Sequence, residues 1–467
     1  HRVMARARRR SLPVLLSRRA GGPPRPAGVL PVDRVPGAPM GMEVQMAEGV
    51  TLQMAAGVRV LGGDPQSDLG AVPTSEVPFA IVAPPPDTWS LAYYALPDQL
   101  VVTLRGPDGG VRLASRPVDR EALRSRVVDF RQALGAGGDV VRGLERVPPR
   151  PGRRDELGTT LYATLVGPVK AFLPPVDEPL LVVPDATLWS LPFASLRDDA
   201  GRWFGDRILH FGVSEGAITT SAARRRPPRD TALVVGNPGE GTVFTCGQSA
   251  QLSALPGAEA EARAIAGLYG DGATLLVGDQ ADGLRIEAWH PGFGVLHLAT
   301  HGYACARDPL DSIVQLGTVG TETWRRRRGA WVRRDDPRLP VRTEPDGIEG
   351  PRPEVRSELT AREVIERWQL DADLVALSAC ETGLGQRSHE GTIGLLRAFV
   401  AAGARSVLVS LWPVDDEATQ TLMVAFHAGY RAHGNKARAL RDAMATTRER
   451  FADPHRWSGF VLVGPAE

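Results

Sequence analysis

The stretch Leu374-Val-Ala-Leu-Ser-Ala-Cys380-Glu-Thr-Gly383 gives the clearest indication of architecture in this chain. A second stretch upstream, Val295-Leu-His-Leu-Ala-Thr-His301-Gly302, has the same form: an apolar run, a reactive side chain and a glycine. Apolar runs of this length, bounded by turn residues, are typical of buried strands in a parallel sheet. Because ligands bind at the carboxyl ends of such strands, we expect the His301 imidazole and the Cys380 thiol to share one crevice. Such a pair predicts a thiol nucleophile with its general base.

Strands and helices alternate around these two stretches from residue 180 onward. Further strands are predicted at 180–183, 231–235, 406–411 and 460–463, and helices at 258–269 and 391–402. This alternation predicts an α/β fold with a mostly parallel central sheet and helices on both faces. The strand at 406–411 is expected beside the Cys380 strand.

The region upstream of 176 has a different pattern. Residues 1–70 are rich in Arg, Pro and Gly and are predicted to form a disordered basic arm. Residues 71–175 contain three short strands, a hairpin turn at 105–112 and two amphipathic helices, which predicts a smaller α+β subdomain. Residues 176–467 form the main domain, with a polar insertion at about 321–356 that is too long for an ordinary connection.

Six segments resemble a known family in their order along the chain. They are LLVVPDATLWSLPFASL (180–196), LPGAEAEARAIAGL (255–268), HLATHG (297–302), LSACETG (377–383), SLWPVDDEAT (410–419) and WSGFVLVG (457–464). Together they resemble the CHAT family of caspase-like cysteine peptidases, which are related to caspases and separases. The resemblance implies a caspase-like three-layer sandwich and a cysteine endopeptidase that hydrolyses peptide bonds in a protein substrate.

The resemblance also implies roles for individual residues. His301 corresponds to the general base and Cys380 to the nucleophile of a Cys–His dyad that acts through a thioester acyl-enzyme. The backbone amides of Gly302 and Cys380 are expected to form the oxyanion hole, since glycine allows close approach of the substrate. This chemistry needs no metal and no organic cofactor.

The resemblance to caspase-like peptidases further implies that the loop after the 406–411 strand helps to form the pocket for the residue before the scissile bond. Trp412, Asp415 and Asp416 are predicted to bind substrate there, with the carboxylates favouring Arg or Lys. The alternative is that one aspartate caps the following helix, because acidic residues are favoured at that position.

Bulk composition restricts the other possibilities. The net charge of +1 provides no global field for nucleic acid or an acidic membrane, and no apolar run approaches a membrane span. The cysteines Cys246, Cys305 and Cys380 are widely scattered, which fits a reducing compartment and argues against a disulfide framework. A cytoplasmic location is expected from this pattern, and a bacterial source is expected as well. Cys246 and Cys305 are therefore expected to be free, small apolar residues.

Several alternatives remain open in the sequence. His297, His301 and Cys305 match no standard zinc spacing, and His297 is expected in the core, about 13 Å deeper than His301. Gly236 and Gly241 have the outer spacing of a phosphate loop, but Thr242 stands where its Lys would be, so a strand-to-helix turn is predicted instead. The short linker at 383–390 predicts an uncut chain that is regulated by a protein partner, an upstream sensor domain or the insertion. The main alternative function is a catalytically silent scaffold.

Overall fold

The computed structural model describes residues 43–46, 50–53, 59–60, 87–136, 152–224, 227–289, 292–305, 307–317, 324–327, 330–333, 357–378, 380–381 and 389–467. Most of the predicted arm at 1–70 and of the predicted insertion at 321–356 lies outside these residues. The linker predicted at 383–390 also lies outside them, apart from residues 389 and 390.

The strands are numbered here in chain order. They are β1 (Glu43–Met46), β2 (Val50–Gln53), β3 (Arg59–Val60), β4 (Trp89–Ala95), β5 (Gln99–Arg105), β6 (Gly110–Pro117), β7 (Leu180–Val183), β8 (Leu209–Phe211), β9 (Ala232–Gly236), β10 (Gly241–Thr245), β11 (Gln248–Leu252), β12 (Ala273–Val277), β13 (Val295–Ala299), β14 (His301–Tyr303), β15 (Ile313–Gln315), β16 (Trp324–Arg327), β17 (Ala330–Arg333), β18 (Glu358–Thr360), β19 (Leu374–Leu377), β20 (Cys380–Glu381), β21 (Ser406–Ser410) and β22 (Phe460–Val463).

The α-helices are numbered in the same way. They are α1 (Arg120–Ala133), α2 (Arg153–Leu165), α3 (Glu215–Ala222), α4 (Pro256–Tyr269), α5 (Gly283–Trp289), α6 (Ala361–Arg367), α7 (His389–Ala402), α8 (Asp416–His433) and α9 (Lys436–Arg450). Helix α6 begins with the predicted capping box, in which Thr360 and Glu363 bond reciprocally. None of the helices within the described ranges is both long and apolar enough to cross a bilayer.

A large sheet organises the described part of the chain, in the order β12-β9-β13-β19-β21-β22-β8-β7-β4-β5-β6-β3. The antiparallel pairings in this sheet are β21–β22, β4–β5 and β5–β6, and its other pairings are parallel. Every residue of β7, β9, β13 and β19 is buried, so both faces of the sheet are covered. The predicted α/β fold with a mostly parallel sheet and helices on both faces is confirmed.

The strands predicted upstream of 176 belong to the same sheet. β4, β5 and β6 form the antiparallel meander that the turn at 105–112 predicts, and β4 pairs with β7 in parallel. Helix α1 buries Leu123, Val127 and Phe130, the apolar face expected from the sequence. The sheet is thus continuous across residue 175, and the division into two domains there remains a proposal about folding units.

A buried ionic cluster fixes the strand that leads to Cys380. Asp373 lies directly before β19 and is fully buried. Its carboxylate accepts from Arg405 Nε at 2.9 Å, from Lys436 Nζ at 3.0 Å and from the Tyr430 hydroxyl. Breaking such a buried pair costs about 3–5 kcal/mol, because the remaining charge has no water around it. The cluster therefore ties β19 to β21, α8 and α9.

The segment between β9 and α4 differs from the sequence prediction. Instead of a simple strand-to-helix turn, it contains a β10–β11 hairpin with Cys246 and Gly247 at its tip. Both tip residues have positive φ, 52° and 77°, as in a type I′ turn. The prediction failed because that turn usually carries Asn or Gly at its first central position, and Cys246 gives no such signal.

Candidate active site

The two strands that carry the predicted dyad are neighbours. β13 pairs with β19 in parallel, in the register Val295↔Leu374 to Leu298↔Leu377. The two segments that follow these strands leave the large sheet and pair with each other as β14 and β20. In this pairing His301 is opposite Cys380, and Gly302 is opposite Glu381. In this backbone register, His301 and Cys380 follow adjacent strands, as expected from the sequence.

The smaller sheet that contains β14 has the order β18-β15-β14-β20. Gly302 lies in it between two strands, opposite Val314 on one side and Glu381 on the other. Thr300 supports the start of β14, because its hydroxyl donates to the Gln315 carbonyl at 3.0 Å. The roles of the Gly302 and Cys380 amides as oxyanion donors remain predictions.

The His301 ring is only 6% exposed, and its Nε2 atom lies 2.9 Å from the carbonyl oxygen of Ser253. A carbonyl oxygen can only accept, so this contact requires a proton on Nε2. In the neutral imidazole, the basic lone pair is then on Nδ1. Ser253 follows β11 directly, so the hairpin holds the ring in one tautomer.

Burial lowers the pKa of His301 below its usual value of 6.5. Two smaller influences raise the pKa: the hydrogen bond to the Ser253 carbonyl and the negative charge of Asp416. The imidazole is therefore neutral near pH 7 and able to accept a proton, while both influences stabilise the imidazolium once it forms.

The hairpin is held on the smaller sheet by apolar and polar contacts. Its buried residues pack with two residues of β14 and β15 in one cluster, which comprises Val243, Ala250, Leu252, Tyr303 and Ile313. The Gln315 amide donates to the Gly239 carbonyl at 3.0 Å, and the Ser357 hydroxyl donates to the Thr242 carbonyl at 2.7 Å. The hairpin thus covers the part of the sheet next to His301.

The expectation of three free cysteines is wrong for two of them. Cys246, at the hairpin tip, forms a disulfide with Cys305, two residues after β14, with a Cα–Cα distance of 5.5 Å. These residues are 59 positions apart, and their spacing matches no recognised disulfide pattern. Only the fold, which places the hairpin against β14, brings them together.

The three residues predicted to bind substrate have different surroundings. Trp412 is 2% exposed, donates from Nε1 to the His455 carbonyl at 2.9 Å and stacks on the His455 ring. Asp415 caps α8 by accepting from the Ala418 amide at 3.1 Å, and it also pairs with Arg456 at 2.6 Å. The capping alternative therefore describes Asp415.

Asp416 lies one residue further on, in the first turn of α8, and is exposed. Its charge acts on His301, and its carboxylate lies so close to Gly257 that a Cβ there would be 2.9 Å from Asp416 Oδ2. In the part of the chain that the structure describes, no Arg or Lys pairs with Asp416. The substrate-binding roles of Trp412, Asp415 and Asp416 remain predictions, and Asp416 has the surroundings that suit such a role.

His297 is fully buried, as the sequence predicted. Its Nε2 lies 2.9 Å from Glu261 Oε1 and its Nδ1 lies 3.1 Å from His427 Nε2. In the described residues, no group of three or more His, Cys, Asp or Glu side chains could hold a metal ion.

The sequence profile described as the CHAT domain matches residues 155–465. The chain belongs to the CHAT domain family. The matched part of this CHAT protein includes both His301 and Cys380, and it begins after the β4–β6 meander.

Two curated relatives share part of this CHAT protein. Tetratricopeptide repeat protein 28 of Mus musculus is 28% identical over 327 residues, and the Homo sapiens protein of the same name is 27% identical over 327 residues. Each match covers 65% of this chain but only 13% of the relative. Most of each relative therefore lies outside the match.

Two solved structures align with this CHAT protein at low identity. The Saccharomyces cerevisiae separase–securin complex aligns with a TM-score of 0.47 and 8% identity, over 81% of this chain and 30% of that chain. Gingipain R of Porphyromonas gingivalis, an Arg-specific cysteine proteinase, aligns with a TM-score of 0.34 and 13% identity, over 74% of this chain and 75% of that chain.

Proposed function

We propose that the protein is a cysteine endopeptidase in which Cys380 is the nucleophile and His301 is the general base. The observation that carries this proposal is the backbone register, in which His301 and Cys380 are opposite each other on adjacent parallel strands. Neighbouring strands lie about 4.8 Å apart and paired residues project their side chains from the same face of the sheet, which supports a pair of nucleophile and base. Membership of the CHAT family supports the same reaction class.

The surroundings of His301 suggest the order of proton transfers. Nδ1 of His301 takes the proton of the Cys380 thiol, and the thiolate attacks the peptide carbonyl carbon. The amides of Gly302 and Cys380 stabilise the resulting oxyanion. His301 then gives its proton to the leaving amine, and water attacks the thioester to regenerate the thiol.

In this scheme Ser253 is a positioning residue that acts through its backbone carbonyl. Its hydrogen bond to Nε2 at 2.9 Å keeps Nδ1 as the basic nitrogen and stabilises the imidazolium. The residue type at position 253 does not indicate this role, because every residue has a backbone carbonyl group. The position could have been found only from the path of the hairpin.

We also propose that Asp416 favours substrates with Arg or Lys before the scissile bond. Its carboxylate is exposed, acts on His301 and has no cationic partner among the described residues. A guanidinium or ammonium group bound there would form a charge-assisted hydrogen bond. Asp415 is a weaker candidate, since its carboxylate already caps α8 and pairs with Arg456.

Labelling with an electrophilic peptide probe tests the endopeptidase proposal and the scaffold alternative together. We expect an acyloxymethyl ketone peptide with a terminal Arg to modify Cys380, and peptide mapping by mass spectrometry locates the label. His301→Ala should suppress labelling, and Cys380→Ala should abolish both labelling and cleavage. Full cleavage by Cys380→Ala would exclude the proposed nucleophile, and an unlabelled, inactive but folded protein would favour a silent scaffold.

A protein partner is proposed as well. The curated relatives are named for tetratricopeptide repeats, and the matched region is a small part of each, which supports a peptidase domain that works beside a partner-binding region. The cytoplasmic location remains a prediction, and the Cys246–Cys305 bond removes the cysteine argument that led to it.

A further inference from the structure

The β10–β11 hairpin is attached at both of its ends to the run of chain that begins with His301. At the base of the hairpin, the Ser253 carbonyl accepts the hydrogen bond from His301 Nε2. At its tip, Cys246 is bonded to Cys305, four residues after His301. Between these two points, Tyr303 packs with Val243 and Leu252. The position of the hairpin on β14 is therefore fixed covalently at one end and by a hydrogen bond to the general base at the other.

The two cysteine residues differ in accessibility. Cys246 is partly exposed in the hairpin turn, whereas Cys305 is 1% exposed. An exposed disulfide sulfur can be attacked by an external thiol, and such bonds are the exchangeable ones. Cys246 also has a φ of 52°, a conformation that suits Asn or Gly better than Cys, which favours a role for its side chain.

We propose that Cys246 and Cys305 form a redox-controlled clamp that holds the hairpin on the strand of His301, with the disulfide as the form competent for cleavage. The inference rests on the proposed function of His301 as general base. Low-molecular-weight thiols open the Cys246–Cys305 bond, and low-molecular-weight disulfides form it again.

The exchange balances in two steps. A thiolate attacks the Cys246 sulfur, the bond to Cys305 breaks, and the Cys305 thiolate takes up a proton. A second thiolate then attacks the external sulfur of the mixed disulfide, which releases the Cys246 thiolate for protonation and an oxidised small-molecule disulfide. Two electrons pass from the two external thiols to the protein, and oxidation by a small-molecule disulfide reverses both steps.

Opening the bond leaves the fold in place but removes one of the two attachments. The apolar cluster of the hairpin and the 2.7 Å bond from the Ser357 hydroxyl to the Thr242 carbonyl do not depend on the disulfide. The Ser253 carbonyl then keeps its position through non-covalent contacts alone. The His301 ring is consequently freer to change its tautomer and orientation.

The state of the His301 ring provides a test that does not depend on cleavage. In Cys380→Ala protein the remaining cysteines are Cys246 and Cys305, because the chain has three. We expect ¹⁵N spectra of the His301 imidazole to show a single Nε2–H tautomer after oxidation with oxidised glutathione, and exchange between two tautomers after reduction. Mass spectrometry under non-reducing conditions confirms each state. Identical His301 spectra in the two states would overturn the clamp.

Cleavage of an Arg peptide provides the second test. The double variant Cys246→Ser/Cys305→Ser should cleave about tenfold more slowly than the disulfide form and should not respond to reductant, because small displacements of a catalytic group have effects of this size. Phe244→Ser is the matched control: this residue of the same hairpin is 60% exposed, and the variant should keep the wild-type rate and its response to reductant.

The two tests separate the two proposals. If no form of the protein cleaves while the His301 spectra still change with redox state, the endopeptidase proposal fails together with the assignment of the disulfide as the cleaving form, and only the redox control of the His301 ring stands. If the double variant and reduced wild-type protein both cleave at the rate of the disulfide form, the clamp is overturned and the endopeptidase proposal stands.

Discussion

His297 and His301 lie four residues apart on one run of chain, and they differ in how many ring nitrogens are engaged. Nε2 and Nδ1 of His297 bond to Glu261 and His427, at 2.9 and 3.1 Å. Nε2 of His301 bonds to the Ser253 carbonyl, and in the described residues Nδ1 has no hydrogen-bond partner. A ring with two occupied nitrogens can only support the fold, whereas a ring with one unoccupied nitrogen can exchange a proton.

The buried end of this run forms a chain of hydrogen bonds. The Tyr269 hydroxyl lies 3.0 Å from His427 Nδ1, and burial raises the pKa of Tyr269, so the hydroxyl keeps its proton. His427 Nε2 lies 3.1 Å from His297 Nδ1, and His297 Nε2 lies 2.9 Å from Glu261 Oε1. Helices α4 and α8 are thereby joined to β13, which lies directly upstream of His301.

Exchanging each histidine for alanine is the strongest test of this comparison. His301→Ala should lower the rate of peptide cleavage by about 10²–10⁴-fold, the usual contribution of a general base. His297→Ala should leave the rate per folded molecule within a few-fold of wild type. The concentration of folded protein, measured by absorbance and checked by circular dichroism, normalises both rates. An equal loss of cleavage in the two variants would remove the distinction.

The two substitutions should affect stability in the opposite order, with His297→Ala more destabilising than His301→Ala. His297→Ala leaves the buried Glu261 carboxylate and His427 Nε2 without their partner, which should lower the free energy of unfolding by about 3 kcal/mol. His301→Ala removes a single hydrogen bond, to a backbone carbonyl, and should cost about 1 kcal/mol. Urea unfolding followed by circular dichroism measures both values. A larger loss for His301→Ala would contradict the comparison.

Buried histidines should also make the fold sensitive to acid. Burial lowers the pKa of His210 from 6.5 to about 4, and burial lowers the pKa of His427 well below 6.5. The unfolded chain then binds protons that the folded chain does not, so stability is complete above pH 6.5 and is lost as the pH falls from 6.5 toward 4. At 1.4 kcal/mol per pKa unit, His210 alone accounts for roughly 3 kcal/mol.

Unfolding measured at pH 7.5 and at pH 5.0 checks this expectation. The difference in unfolding free energy between the two pH values should be smaller in His210→Gln than in wild type. His433→Gln is the comparison. Burial lowers the pKa of His433 as well, but this residue lies at the exposed end of α8, so its replacement should reduce the difference by less than His210→Gln does. A protein that is more stable at pH 5.0 than at 7.5 would contradict the assignment.

Asp415 and Asp416 repeat the contrast on a smaller scale. Asp415 is engaged by the α8 cap and by Arg456, whereas Asp416 has no cationic partner in the described residues. Asp416→Asn should lower the preference for Arg over norleucine before the cut by roughly fivefold, the effect of one exposed charge pair. Asp415→Asn should leave the preference unchanged. The ratio of cleavage rates for two peptides that differ only in Arg or norleucine before the cut measures this preference. An unchanged ratio in Asp416→Asn would exclude the Asp416 carboxylate as its source.

The sequence predicts the large sheet well because its strands are buried on both faces. A strand of that kind is a continuous apolar run, as at 295–299 and 374–377, and parallel pairing then follows from the alternation with helices. The adjacency of His301 and Cys380 could be anticipated for the same reason. The roles of these two residues as a dyad remain proposals.

The contacts around the site could not be predicted in the same way. Cys246 and Cys305 are 59 residues apart, and Ser253 acts through a backbone carbonyl that every residue has. The different surroundings of Asp415 and Asp416 depend on the residue at which α8 begins. Such features follow from the path of the chain in space, and local patterns of residue type do not contain that information.

The pairing of β4 with β7 sets a lower limit on the length of an autonomous fragment. Similarity to the CHAT family begins at residue 155, but β7 has its neighbour at 89–95. A fragment cut at the border of similarity would present β7 as a bare edge whose four residues are all apolar and buried in the intact chain. Exposed apolar edges recruit further strands, so that fragment is expected to self-associate. For transplantation into another protein, the transferable module therefore begins before Trp89.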